Sequence, residues 1–139
     1  MTPVLASLFL LVLLNGASIL KSFSVLSSFD ELENTLVQSE RDVNSVLSTF
    51  KTQVQEWKNV LLRGHNQKDR EKYWNRFKER EADITRQFEQ MLGNNVISEK
   101  AKSEIRQFQK AHALMATRYR EGYEAFVASG FDPKVGDSF

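Results

Sequence analysis

Side chains able to do catalytic or metal chemistry are few in this chain. The 139 residues include two histidines, His65 and His112, and no cysteine. Without cysteine, disulfides, thiolate zinc sites and thiol nucleophiles are excluded. The histidines lie in no recognised metal-binding spacing, and no Ser–His–Asp arrangement or pocketed pair of carboxylates is evident. The sequence therefore predicts a protein that is not an enzyme and that uses no cofactor or metal.

Aromatic side chains offer binding chemistry instead. They recur at helical spacing, so they could pack as a core layer or line a ligand pocket. His112 has the same two interpretations: a packed residue with one hydrogen bond, or a group that senses a ligand or a proton. The aromatic group consists of Trp57, Tyr73, Trp74, Phe77 and Tyr119.

A basic group lies close to these aromatic residues in the sequence. It could form a solvated surface with salt bridges, or an anion-binding site, within one chain or across a dimer interface. Acidic residues are interleaved with it and the net charge is only +1, so we expect no nucleic-acid partner. The basic group is Arg63, Lys68, Arg70, Lys72, Arg76, Lys78 and Arg80. The candidate ligand-binding residues are Trp57, Arg63, Trp74, Arg76, His112 and Tyr119.

The N-terminal segment has the character of a membrane anchor. Residues 1–20 carry no charged side chain, and about 20 residues at 1.5 Å rise give roughly 30 Å, the thickness of a bilayer core. A cleaved signal peptide is the alternative, but no basic residue precedes Pro3 and residues 15–17 make a poor cleavage site. We expect residues 1–22 to span the membrane and residues 23–139 to form one extracytoplasmic region.

The rest of the chain has the pattern of long packed helices. No proline lies between Pro3 and Pro133, and apolar residues recur at the alternating three- and four-residue spacing of helices packed along one another. Gly64 and residues 93–95 are expected to break the pattern, and Gly130 to end it. An all-α fold follows, with three antiparallel helices, the second running over residues 67–92.

Helix caps and core faces can be assigned within that pattern. Asn66 and Ser98 are expected to cap the second and third helices. The core face of the third helix is predicted to be Ala101, Ile105, Phe108, His112, Met115, Tyr119, Gly122 and Phe126. That of the second is predicted to be Trp74, Phe77, Glu81, Ile84, Phe88 and Met91. That of the first includes Phe29, Leu32, Leu36, Val43, Val46, Phe50, Gln53, Trp57 and Val60.

Folding the chain about its two turns predicts which residues meet. The first turn places Trp57 opposite Trp74, and the second brings Met115 near Trp74 and His112 near Phe77. Two polar residues fall on the apolar faces at nearly the same height, Gln53 and Glu81. They could form a polar layer that fixes the register, as buried polar groups do in some coiled coils, or the apolar face could simply be exposed at that height.

Three stretches resemble a known sensor family. Residues 50–64, FKTQVQEWKNVLLRG, resemble the first helix of the periplasmic four-helix-bundle sensor domain of methyl-accepting chemotaxis receptors. Residues 72–77, KYWNRF, look like its second-helix motif. Residues 130–133, GFDP, with Gly136 and Asp137, look like the loop before its fourth helix. The resemblance covers most of residues 29–139 and implies three helices of such a bundle, with the fourth helix missing.

The resemblance also implies a function and partners. The chain would be the ligand-sensing portion of a bacterial chemoreceptor, single-pass in the inner membrane, with its bundle in the periplasm. It would pair as a homodimer, bind an unknown small molecule, and reach a histidine kinase only through a cytoplasmic part that is absent here. The alternative is a membrane-tethered helical adaptor or structural protein that binds no small molecule.

Overall fold

The computed structural model describes residues 40–95 and 97–139, and within them every regular element is a helix. The prediction of an all-α fold is confirmed for this part of the chain. The expected anchor at residues 1–22, and the residues Phe29, Leu32 and Leu36, lie outside the described residues. No described helix has both the length and the apolar character needed to cross a bilayer. The helices are α1 (Glu40–Arg63), α2 (Gln67–Leu92), α3 (Glu99–Ala128) and α4 (Pro133–Gly136).

A tight turn joins α1 to α2, as expected from its residues. The backbone N–H of Gly64 donates to the Val60 carbonyl at 2.7 Å, and a Cβ at Gly64 would lie 2.8 Å from the Phe126 ring. Only glycine therefore fits where α1 ends. The side chain of Asn66 accepts from the backbone N–H of Asp69 at 3.1 Å and caps α2. The two long helices are thus placed antiparallel.

The helix α3 begins after Ser98 and ends before Gly130, as the sequence predicted. The Ser98 hydroxyl accepts from the backbone N–H of Ala101 at 3.2 Å. At the other end Gly130 has φ +77°, and the N–H of Phe131 donates to the Phe126 carbonyl at 2.9 Å. This is a Schellman motif, which satisfies carbonyls left free at a helix end. Phe131 also has a positive φ of 72°, so the chain turns sharply before α4.

The core lies along the faces that the apolar spacing indicated. All eight residues predicted for the α3 face are buried. On α2, Phe77, Ile84, Phe88 and Met91 are buried as predicted, and Tyr73 joins them while Trp74 is half-buried. On α1, the predicted residues from Val43 to Val60 are buried. The helical period therefore identified most of the core in the described part of the chain, while Trp74 and Glu81, both predicted for the α2 face, are half-buried.

The predicted register between α2 and α3 is wrong by about one heptad. Trp74 stacks on Tyr123 rather than lying against Met115, and Phe77 contacts Tyr119 rather than His112. A seven-residue slip keeps the same faces together, so the repeat alone cannot choose between the two registers. The connection over residues 93–98 leaves room for this offset, and large aromatic rings then decide the pairing.

Candidate functional site

An aromatic cluster lies at the end of the molecule near the α1–α2 turn. Trp57 is at its centre, 2% exposed, with its ring centroid 6.2 Å from Trp74, 6.2 Å from Phe77 and 5.3 Å from Tyr119. Phe77 and Tyr119 meet edge to face at 4.8 Å. These are the offset and edge-on geometries that aromatic quadrupoles favour. Three of the candidate ligand-binding residues, Trp57, Trp74 and Tyr119, are therefore brought together.

The rings in this cluster pack mainly on one another. Trp74 lies nearly parallel to Phe77 at 5.0 Å and to Tyr123 at 4.3 Å, and it stacks on both rings. Tyr119 is 2% exposed, and burial raises the pKa of its hydroxyl well above the ordinary value, with the Asp137 carboxylate adding to the effect. Of the two interpretations of the aromatic group, the contacts favour the core layer.

The short segment of residues 132–137, which contains α4 and which we name the strap, packs against this cluster, and sequence reasoning did not foresee that contact. The Trp57 side chain lies close enough to the Asp137 carboxyl group to lower its pKa, against the raising effect of burial. A Cβ on Gly122 would lie 2.7 Å from the carbonyl oxygen of Gly136, and a Cβ on Gly136 would lie 2.6 Å from Leu61. The two glycines thus let α4 sit directly on α3 and α1. The sequence drew attention to Gly136 and Asp137 only through the family resemblance, which did not predict that α4 packs on α3 and α1.

Three cations surround the ring of Tyr73 on the surface beside the turn. Arg63 Nη1 donates to the Tyr73 hydroxyl at 3.1 Å, and its guanidinium carbon lies 5.7 Å from the ring centroid. The Lys72 ammonium lies 5.0 Å and the Arg76 guanidinium 5.8 Å from the same centroid. Such distances are those of cation–π contacts. We name Arg63, Lys72 and Arg76 around Tyr73 the cationic ring.

The cationic ring is exposed and has no acidic partner close by. Arg63, Lys72 and Arg76 are exposed, whereas Tyr73 beneath them is buried. Among the described residues, no carboxylate forms an ion pair with any of these three cations. Three cations that gather around one ring and form no ion pair leave their donors available to an anion.

The other basic residues whose contacts are resolved have structural partners. Arg70 Nη1 donates to the Gly64 carbonyl at 2.7 Å, and the guanidinium stacks over Phe131 at 4.5 Å. Arg80 pairs with Asp83 at 3.0 Å, and Asp83 also holds Arg86. Arg70 therefore fastens the α1–α2 turn to the segment before α4. These basic residues are close together in the sequence. In the fold, Arg70 and Arg80 are engaged in contacts of their own, and only Arg63, Lys72 and Arg76 form the cationic ring.

The sixth candidate, His112, belongs to a separate polar layer in the middle of the helices. Its Nε2 donates to Gln53 Oε1 at 3.1 Å, and the side chains of Gln53 and His112 are 1% and 8% exposed. The rings of Phe50 and Phe88 meet the imidazole edge-on at 6.3 Å and 6.2 Å. His112 is thus a packed core residue with a hydrogen bond, the first of its two interpretations.

Glu81 contributes to the same region from α2. Its two carboxylate oxygens form a bidentate ion pair with Arg120. Arg120 Nη2 donates to Glu81 Oε1 at 2.6 Å, and Arg120 Nη1 donates to Glu81 Oε2 at 3.0 Å. Burial lowers the pKa of His112, and the negative charge of Glu81 partly offsets this. Gln53 and Glu81 do not pair with each other: Gln53 bonds to His112, and Glu81 pairs with Arg120. In the described part of the chain, no group of three or more metal-ligating side chains is assembled.

Comparison with characterised proteins adds one relative. Over 112 residues the chain is 32% identical to the protein CtpH of Pseudomonas aeruginosa. CtpH is a methyl-accepting chemotaxis protein. The match covers 79% of this chain and 19% of the relative, so the chain spans about a fifth of the relative's length. No protein-family profile matches the chain, and no solved structure does. The homology supports a role related to chemotaxis receptors and agrees with the resemblance found in residues 50–64 and 72–77.

Proposed function

We propose that this chain is the ligand-sensing extracytoplasmic portion of a membrane-bound chemotaxis receptor. The observation that carries the proposal is the 32% identity to CtpH over 79% of the chain. The long antiparallel helices α1, α2 and α3 support it, because packed helices can pass a small change at one end along their length. The role is binding and transmission, with no catalytic step.

The cationic ring is the best candidate for the ligand site. Arg63 and Arg76 were both candidates from the sequence, and the fold brings them to one phenol ring together with Lys72. A small anion placed there would gain charge-assisted hydrogen bonds from two guanidinium groups and one ammonium group. Tyr73 directly precedes Trp74 on α2, so the same helix would carry both the anion site and a ring of the aromatic cluster. The proposed ligand class is therefore a small carboxylate or oxyanion.

A membrane anchor and a homodimer complete the proposal. Residues 1–22 would hold the chain in the bacterial inner membrane as a single span, with the helices in the periplasm. Two copies would pair, and the kinase would be reached through a cytoplasmic part beyond this sequence. The dimer would bring two cationic rings near the same end of the assembly.

A binding experiment on the full chain tests the proposal. Calorimetry against a panel of carboxylates and inorganic oxyanions is expected to find a ligand that binds the natural protein. Arg63→Gln and Arg76→Gln should each weaken that binding at least about tenfold, the effect of losing one charge-assisted hydrogen bond. Lys78→Gln is the matched control, since Lys78 is exposed on α2 and lies outside the cationic ring. If no anion binds, or if Lys78→Gln weakens binding as much as Arg76→Gln, the site assignment fails. Absence of any ligand would favour the adaptor alternative.

A further inference from the structure

The hydroxyl group of Tyr73 holds one of the three cations that surround it. Tyr73 is buried, so packing in the core sets the position of its phenol ring. The phenol oxygen accepts a hydrogen bond from Arg63 Nη1 at 3.1 Å. Arg63 is the last residue of α1, whereas Tyr73 lies on α2. The hydroxyl therefore fixes a long side chain of one helix against a rigid ring of the other.

The acceptor for Arg63 is neutral, and this sets the contact apart from an ion pair. Where Arg80 pairs with Asp83 at 3.0 Å, the carboxylate holds the guanidinium group and also cancels its charge. A phenol oxygen orients the guanidinium group and leaves the charge intact. A guanidinium group has several N–H donors in a fixed planar fork, and the contact with Tyr73 uses one of them. The other donors of Arg63 keep the geometry that suits a carboxylate or an oxyanion.

Lys72 and Arg76 reach the same phenol ring by a shorter route. Both lie within one helical turn of Tyr73 on α2, and their charged groups are 5.0 and 5.8 Å from the ring centroid. Arg63 comes from the other helix and depends on its hydrogen bond to join them. A long side chain that an anion must immobilise loses rotamer freedom, which lowers affinity unless the side chain is held in advance.

We propose that Tyr73 is the positioning residue of the anion site. Its hydroxyl holds Arg63 beside Lys72 and Arg76, so that charged donors from both helices are in place before an anion arrives. The phenol ring provides packing and cation–π contacts, which phenylalanine would also provide. The hydroxyl is therefore the part of Tyr73 with a role in binding. This inference rests on the proposed function of the cationic ring.

Removing the hydroxyl alone is the first step of the test. The probe is the member of the calorimetric panel, which includes sulfate and malonate, that binds the full chain most tightly at constant ionic strength. Tyr73→Phe should weaken its binding about three- to tenfold. Tyr123→Phe is the matched control and should leave binding unchanged. It removes a phenol hydroxyl from a half-buried tyrosine of α3 that stacks on Trp74, outside the cationic ring.

A double-mutant cycle shows whether the hydroxyl acts through Arg63. In the Arg63→Gln background, Tyr73→Phe should change the affinity by less than about twofold, because no guanidinium group remains to be positioned. In the Arg76→Gln background, Tyr73→Phe should again weaken binding about three- to tenfold. A general structural role would weaken binding equally in both backgrounds. Equal effects, or an unchanged affinity in Tyr73→Phe alone, would overturn the inference and leave the anion site standing.

An NMR measurement without ligand separates the inference from the proposed function. A guanidinium group held by a hydrogen bond gives separate Nη signals, whereas one that moves freely between rotamers gives an averaged signal. We expect the Arg63 signals, assigned by their loss in Arg63→Gln, to be separate in the natural protein and in Tyr123→Phe and averaged in Tyr73→Phe. Any other pattern would overturn the positioning role. If the signals follow this pattern but no anion of the panel binds, the proposed function is at fault, and the inference falls with it.

Discussion

Trp57 on α1 and Trp74 on α2 pack edge to face, with 6.2 Å between ring centroids. This contact joins α1 to α2 near their turn. The Trp57 side chain also acts on the Asp137 carboxyl group after α4 and lowers its pKa, so one indole links α1 with α2 and with the segment that follows α3. Tyr73, at the centre of the cationic ring, directly precedes Trp74 on α2.

The first prediction concerns the stability of that layer. Trp57→Ala should lower the free energy of unfolding by about 3–5 kcal/mol, because it leaves a cavity among three rings and frees the Asp137 acceptor. Trp74→Ala should cost less, since Trp74 is half-buried. Urea unfolding followed by circular dichroism measures both. Leu62→Ala is the control, as Leu62 is 69% exposed and should change stability by less than about 0.5 kcal/mol. Equal effects for Trp57 and Leu62 would mean that the layer is misplaced.

The sequence predicted helix ends and core faces closely because these depend on local chemistry. Asn66, Ser98 and Gly130 each act through their own side chain or backbone conformation, so their roles could be read directly. The α2–α3 register could not, because Trp74 meets Tyr123 rather than Met115 only through long-range packing. The sequence identified candidate site residues by their chemical type. It could not show that Arg76 lies over Tyr73 whereas Arg70 lies over Phe131, because those contacts depend on the fold.

The second prediction tests the close approach of the strap. Gly122→Ala should destabilise the fold by about 1–3 kcal/mol, because the new methyl group would lie 2.7 Å from the Gly136 carbonyl oxygen. Gly93→Ala is the matched control, since its nearest atom is 3.5 Å away and its φ is −77°. It should be neutral or slightly stabilising. Thermal unfolding of the two variants compares them, and a stable Gly122→Ala protein would show that α4 does not rest on α3.

The third prediction concerns the buried polar pair. Gln53→Leu and His112→Leu should each cost about 1–3 kcal/mol, because each leaves a buried partner without its hydrogen bond. The double variant should cost clearly less than the sum of the two, since both polar groups are then gone. A double-mutant cycle from urea unfolding near neutral pH provides the coupling energy. Strict additivity would mean that the 3.1 Å contact between Gln53 and His112 contributes nothing.

The fourth prediction is a pH dependence at the strap. Burial raises the pKa of Asp137, although Lys58 and the Trp57 indole act in the opposite direction. A carboxyl group whose pKa is higher in the folded than in the unfolded protein favours folding most at low pH, and this contribution is lost as the pH rises through the folded value. Asp137→Asn keeps an oxygen that can accept from Trp57 but removes the charge.

Asp137→Asn should therefore equal the natural protein in acid and match or exceed its stability at neutral pH. Urea unfolding of both proteins from about pH 3.5 to about pH 7 makes the comparison. Asp132→Asn is a suitable control, since Asp132 is also in the strap region but caps α4 through an oxygen that asparagine retains. Loss of stability in Asp137→Asn at neutral pH would show that the carboxylate charge itself is stabilising.

The central claim is that this chain senses a ligand for a chemotaxis receptor, and a chimaeric receptor tests it most directly. The region of CtpH that matches this chain would be replaced by the chain, and the swimming response of Pseudomonas aeruginosa cells would be measured toward the anion found by calorimetry. We expect a response to that anion that is lost in Arg63→Gln and Arg76→Gln and retained in Lys78→Gln. A chimaera that reaches the membrane in normal amount and gives no response to the bound anion, or gives the same response in all variants, would contradict it.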